Sequence, residues 1–301
     1  MQFGRLDDLD QVDWQMPPVH PATKEVLSKQ DNCPPVFYIG CSVWAVKGYV
    51  GRVFPPGTPG SKYLEAYGRQ FFTVETNSTH YNIPTDSTIA RWRDSVQDGF
   101  KFCPKFPQFI SHRKELTGNP EAIDRFLNTV LGLGDKLGVS FLQLPPYFGA
   151  DRVEGLVELL EFLPADFRTT IEFRHPDWFA DPYLMDDTFS YLEERQIPVV
   201  ISDVAGRRDV LHQRLTTPVL FLRFNGHNLH PTDYSRADAW VQRIAGWISS
   251  GLKEVYIFVH EPEQYLNADL AVYLINELNK HCHASIPVPA WYENQQTNLF
   301  S

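Results

Sequence analysis

The chain has 301 residues, 43% hydrophobic and 21% charged, with a formal net charge of −10; it can bury a substantial core as one large domain or two smaller ones. The acidic balance excludes broad coating of nucleic acid, which needs a basic surface. No apolar run is long enough to span a bilayer as a helix.

The first thirteen residues are polar and acidic, unlike a secretory signal. Cys33, Cys41, Cys103 and Cys282 form no CxxC pair, so reduced thiols and a cytoplasmic location are expected. Residues 1–35 carry several prolines and weak periodicity and read as an N-terminal extension draped on the surface.

From residue 36, short apolar runs alternate with helical stretches. The runs cover 36–41, 72–76, 100–103, 140–144, 169–173, 199–202, 219–224 and 255–260. Eight is the strand number of the closed parallel barrel. Their continuous apolar character suits strands covered on both faces. Helices are expected over 61–70, 87–96, 120–137, 153–162, 186–195, 237–250 and 267–280. Asn119 and Pro120 read as N-cap and first helical position. The sixth crossover, 205–217, is short, so its helix should be degenerate. The expected fold is therefore α/β, a single (β/α)8 TIM-like barrel over 36–284, followed by a C-terminal tail over 285–301. An open doubly wound sheet calls for a Gly-rich turn after the first strand, and Gly40-Cys41-Ser42-Val43-Trp44 is a poor match.

Polar residues just past the strands of a parallel barrel face its functional site. Here nearly every strand supplies one. Ser42 and Trp44 follow the first, and Glu75, Asn77 and Tyr81 the second. Lys105 follows the third, with His112 in the loop behind it. Gln143 ends the fourth, Glu172, Arg174 and His175 the fifth, and Asp203 the sixth. Arg223 and Asn225 end the seventh, and His260 and Glu261 the eighth. One such residue is ordinary; their recurrence around the ring points to a binding or catalytic site.

These same residues carry a family resemblance. Gly40-Cys41-Ser42-Val43-Trp44 resembles the G-x-S-x-W opening of the YecE-like family, a domain family of unknown function. Val74-Glu75-Thr76-Asn77-Ser78-Thr79, Gln143-Leu144-Pro145-Pro146 and Glu172-Phe173-Arg174-His175 with Trp178 resemble its later elements, in order. Lys105 with Ser111-His112, and Arg223 with Gly226, match as well. Asn225 replaces the usual histidine, and His260-Glu261 stands where asparagines are common. The resemblance runs from about residue 36 to about 280 and implies a TIM-like barrel with a site formed by the matched polar residues.

Lys105, Arg174 and Arg223 would hold a phosphate or carboxylate. The first chemical reading is acid–base or hydrolytic catalysis on such an anion, by Glu75, Lys105, Glu172, Asp203 and His112. Glu75, if drier than Glu172, would be the better base. Ser42, Trp44, Asn77, Tyr81, Gln143, Arg174, His175, Arg223 and Asn225 would bind the substrate. A divalent metal held by Glu75, Glu172, Asp203 and His260 is the fallback, as in barrel phosphodiesterases. A two-carboxylate glycosidase using Glu75 and Glu172 and a non-catalytic binding barrel are further alternatives.

The tail ends in Gln296-Thr297-Asn298-Leu299-Phe300-Ser301. Gln296, Leu299 and Phe300 resemble the short peptide by which bacterial proteins bind the replication sliding clamp. Two apolar side chains would fill a pocket and the amide would bond its rim. The same residues would equally well pin the tail to the barrel.

Overall fold

The computed structural model describes residues 4–28 and 33–292. Eight strands are present: β1 (Val36–Cys41), β2 (Thr73–Thr76), β3 (Lys101–Pro104), β4 (Ser140–Gln143), β5 (Thr169–Glu172), β6 (Val200–Asp203), β7 (Val219–Asn225) and β8 (Glu254–His260). All pair in parallel. Six form one sheet in the order β3-β2-β1-β8-β7-β6, and β4 pairs with β5. Isolated parallel bridges link that pair to both edges of the larger sheet, Lys105 to Phe141 and Ile171 to Val199. The protein is an α/β fold around a parallel central sheet.

Strand alternation sorts side chains between two faces. Val219 and Phe221 of β7 pack with Phe141, Val200, Tyr256 and Phe258 on an inner face. Leu220, Leu222 and Phe224 pack outward, in the cluster that holds helix residues. The inner face is lined with rings: Tyr38 stacks on Tyr256 at 4.7 Å and Phe221 lies 5.0 Å from Phe258. Both faces are apolar, which is why the strands read as continuous apolar runs. Gly40 allows β1 and β2 to approach, since a Cβ there would sit 2.2 Å from the Thr73 carbonyl oxygen.

The helices are α1 (Pro21–Ser28), α2 (Tyr63–Gly68), α3 (Asp86–Asp94), α4 (Gln108–Ser111), α5 (Pro120–Leu131), α6 (Val153–Phe162), α7 (Asp177–Ala180), α8 (Pro182–Glu194), α9 (Pro231–Ile248) and α10 (Asn267–His281). Asn119 caps α5 through the Ala122 N–H. That helix stops short of the expected residue 137, and Gly134 beyond it adopts φ +57°. Helix α9 opens earlier than expected because the His230 side chain accepts from the Thr232 N–H, with Pro231 in the first turn. Between β6 and β7 there is only a 3-10 segment, Ala205–Val210, with Arg207 off helical geometry. The sixth crossover has no α-helix.

The N-terminal extension is anchored more firmly than a surface drape. Helix α1 buries Thr23, Val26 and Leu27. The Thr23 hydroxyl donates to the Gln213 carbonyl and accepts from the Leu215 N–H. At the other end, the Arg52 guanidinium lies 4.9 Å over Trp291, and the Tyr292 N–H donates to the Arg52 carbonyl at 2.7 Å. Gln296, Leu299 and Phe300 lie outside the described residues. Among the described residues no helix is long and apolar enough to cross a membrane.

Candidate functional site

The inner-face alternation continues from ring to ion at the C-terminal strand ends. Phe221 is followed two residues on by Arg223, Phe258 by His260, Phe141 by Gln143 and Cys103 by Lys105. Arg223 is the hub. Its Nε and Nη2 donate to Glu75 at 2.8 and 2.9 Å, and its Nη1 donates to Glu172 at 2.9 Å. Glu172 also accepts from Arg174 Nε and from the Gln143 amide, each at 2.7 Å. The Gln143 carbonyl oxygen in turn accepts from Lys105 Nζ at 2.7 Å. On the far side of Glu75, His260 Nε2 lies at 3.0 Å and the Asn77 amide donates at 2.7 Å. Asn77 also donates to the Ser42 carbonyl. Glu75 and Glu172 have no exposure at all.

Over this layer lies a cavity of about 390 Å³ whose wall includes Arg5, Lys105, Arg174, Arg223 and Arg236. Ser42, Gln143, Asn225 and His260 also face it, and Glu261 is its sole carboxylate among the described residues. The two inner glutamates lie behind the cations rather than on the surface. They hold the guanidinium planes, and the cations present their outer faces to the cavity. The phenyl ring of Phe141 lies below, 5.4 Å from the Arg223 guanidinium and 6.0 Å from Lys105 Nζ. A more apolar cavity of about 420 Å³ lies at the opposite strand ends, between Val36 and Ile286, with no carboxylate or cation among the described residues of its wall.

Protonation follows from this layering. Burial opposes ionisation of Glu172, but Arg174, Arg223 and Gln143 outweigh it and hold its carboxyl at about 2. Burial is likewise overcome at Glu75, where Arg223 and His260 hold the carboxyl well below its usual range. Glu75 is therefore not the better base expected of a drier group: its dryness comes with an arginine. Two wall groups shift the other way. Burial, reinforced by Arg223, pulls the Lys105 ammonium down to about 7. Burial and the neighbouring Asp233 push the Glu261 carboxyl up to about 8.

Several expected site residues sit elsewhere. Asp203 follows Ile201 on the outward parity of β6; Arg208 and Arg236 bind its Oδ1 at 2.5 and 2.9 Å and Trp240 binds its Oδ2 at 2.7 Å. It is buried, fully paired and absent from the cavity wall. This also removes the metal set of Glu75, Glu172, Asp203 and His260, because Arg223 occupies the space between the glutamates and Asp203 faces away. Among the described residues no cluster of His, Cys, Asp and Glu has the geometry to hold a metal ion. Neither glutamate is placed as the acid of a glycosidase pair, since both are fully buried and neighbouring cations hold both carboxyls below their usual range.

Trp44 packs edge-on against Trp92 at 5.3 Å and joins the outer core. His175 turns to Asp177, 3.4 Å away, and does not reach the cavity wall. Tyr81 is 63% exposed, beside His80. His112 lies edge-on to His80 at 5.2 Å, and burial with Lys105 and Arg174 lowers its pKa. It lies beside the cations without lining the cavity.

Glu261 was read at the site end of the eighth strand but given no role, and His80 and the extension were not read as site elements. The protonation of Glu261 depends on burial and on Asp233 in another segment. His80 is held by the Phe106 carbonyl, and burial and Lys105 bring it to about 4. Gly4, Arg5 and Leu6 reach the cavity because the Gly206 N–H donates to the Gly4 carbonyl at 2.9 Å.

The family model described as "Protein of unknown function DUF72" matches residues 38–294. The chain is 30% identical over 283 residues to UPF0759 protein YecE of Escherichia coli strain K12, covering 88% of this chain and 100% of that one. It is 26% identical over 165 residues to UPF0759 protein YunF of Bacillus subtilis, covering 52% of this chain and 57% of that one. Among solved structures, a DUF72 family protein of Thermotoga maritima superposes with TM-score 0.63 at 22% identity, covering 83% of this chain and all of the other. One from Enterococcus faecalis superposes with TM-score 0.65 at 19% identity, covering 83% of this chain and 99% of the other. With the Gly40 to Trp44 opening, the Glu75 and Glu172 elements and the shared fold in agreement, the chain belongs to the YecE-like DUF72 family.

Proposed function

We propose that this protein is an enzyme that binds a small phosphorylated or carboxylated substrate at the C-terminal ends of its strands and moves protons on it. We read the eight strands as a TIM-like barrel, with the two isolated bridges completing the ring and the cavity as its mouth. The observation that carries the reading is the placement of Lys105, Arg174 and Arg223 on one cavity wall, with Glu75 and Glu172 buried behind them. In a chain of net charge −10, such a wall attracts one small anion rather than an extended polyanion.

Proton transfer falls to Lys105 and Glu261, whose pKa values of about 7 and about 8 lie near neutrality. Glu75 and Glu172 instead keep the arginines oriented. A cavity of about 390 Å³ suits a metabolite-sized ligand.

Calorimetric titration with inorganic phosphate and sulfate tests the anion site. Binding to the intact chain is expected, weakened about tenfold or more in Arg174→Gln, the scale of one lost charge-assisted contact. If neither anion binds, and neither occupies the cations in soaked crystals, the reading is wrong. Turnover separates an enzyme from a non-catalytic barrel. Glu261→Gln should retain phosphate binding and lose turnover of any substrate found.

A further inference from the structure

We propose that Lys105 forms an imine with its substrate, so that the ligand class is a small phosphorylated or carboxylated aldehyde or ketone. This rests on the anion site above and narrows it.

The geometry around Nζ is that of an amine held ready rather than a paired cation. Lys105 extends from the end of β3 onto the cavity wall. Its Nζ donates to the Gln143 carbonyl oxygen at 2.7 Å, and the opposite end of that amide is fixed by Glu172 at 2.7 Å. Among the described residues no carboxylate lies within ion-pair distance of Nζ; Glu75 and Glu172 are both taken by Arg223. A lysine whose only role was to neutralise charge would sit against a carboxylate, and two stand nearby already paired. The flanking guanidiniums also disfavour a third positive charge, which leaves a lone pair on Nζ near neutral pH.

The step needs no external redox partner. The Nζ lone pair attacks the carbonyl carbon, the carbonyl π pair moves to oxygen, and a proton passes from nitrogen to that oxygen. The carbinolamine then expels water with one further proton, leaving a protonated imine. His260 and Glu261 stand on the same wall to handle these protons. Arg174 and Arg223 would hold the substrate's anionic group. A protonated imine withdraws electrons from the adjacent carbon, which favours isomerase or lyase chemistry over hydrolysis.

The intact protein is incubated at pH 7 with sodium cyanoborohydride and, separately, glyoxylate, pyruvate or glyceraldehyde 3-phosphate, then mapped by peptide mass spectrometry. Lys105 should gain the mass of the carbonyl compound less one oxygen atom. It should do so at least about tenfold faster than the surface lysines, whose amines are almost fully protonated at this pH. Saturating phosphate should slow it, and Lys105→Arg should remove the fast adduct. If phosphate binds but Lys105 reacts no faster than surface lysines with all three compounds, the imine is wrong while the anion site stands. A fast Lys105 adduct indifferent to phosphate, in protein that binds no phosphate, supports the imine and overturns the anion site. Because the wild-type map is itself decisive, the test survives a Lys105 variant that fails to fold.

Discussion

The guanidinium of Arg223 meets the carboxylate of Glu75 edge to edge, Nε 2.8 Å from Oε2 and Nη2 2.9 Å from Oε1. The contact joins β7 to β2, which are not neighbours in the sheet. A third donor on the same guanidinium reaches Glu172 of β5 at 2.9 Å. One arginine thus fixes both carboxylates and the shape of the cavity floor.

Glu75→Gln should therefore cost about 3–5 kcal/mol of stability, the usual result of leaving one buried charge of such a pair uncompensated. Urea unfolding followed by tryptophan fluorescence measures it. Arg223→Lys on its own should also lose stability, since an ammonium cannot bridge two carboxylates as a fork does. A stability loss below about 1 kcal/mol, within the range of an exposed ion pair, would show that the network carries little of the fold.

Acid should unfold the protein through these carboxylates. The folded-state pKa of Glu172 is about 2, below that of the unfolded chain, and those of Glu75 and Asp203 are also lowered. Between about 2 and the ordinary carboxylate range the unfolded chain binds more protons. Their stabilisation is thus present above that range and is lost as pH falls through it. Unfolding free energies at successive pH values should decline most steeply there. In Glu172→Gln the decline should be shallower, and an unchanged slope would contradict the assignment.

Glu261 has the opposite linkage. Its folded-state carboxyl titrates at about 8, above the unfolded value, so the unfolded chain ionises first as pH rises. Its contribution to stability is complete below the unfolded pKa and erodes up to about 8. Glu261→Gln should consequently gain stability relative to wild type across that interval and reach a constant difference above it. Parallel unfolding curves over pH 5 to 9, with no growing gap, would reject a neutral Glu261.

The extension should be part of the site wall. The Trp14 ring lies 4.8 Å from the Arg236 guanidinium and 5.6 Å from that of Arg208, and both arginines bind Asp203. Trp14→Ala should cost about 1–2 kcal/mol through lost cation–π contact and packing. It should also speed proteolysis within the first twenty residues and weaken phosphate binding. Unaltered proteolysis and binding would confine these residues to surface cover.

Strand positions were readable from sequence because each run is apolar on both faces and bounded by turn residues; all eight lie within a residue or two of their expected places. Arg223, Lys105, Gln143 and Glu172 were equally legible, since alternation carries them inward from Phe221, Cys103, Phe141 and Thr170. Asp203 failed by the same rule. It falls on the parity of Ile201, and reading it simply as the residue ending a strand ignored which way it points.

Local order along the chain was enough to specify eight parallel strands, their helices, the missing sixth helix and the polar residues at one set of strand ends. Periodicity and capping are short-range properties, carried by neighbours within a few residues. Proton affinity is not: Glu75 became a fixed anion through Arg223, 148 residues away, while the Glu261 carboxyl was pushed up by burial and then by Asp233. The Lys105 ammonium was pulled down to about 7 by burial and by Arg223, which its own segment does not supply. Those outcomes depend on Coulomb interactions and dehydration among distant segments, and they exist only once the strands have brought those segments together.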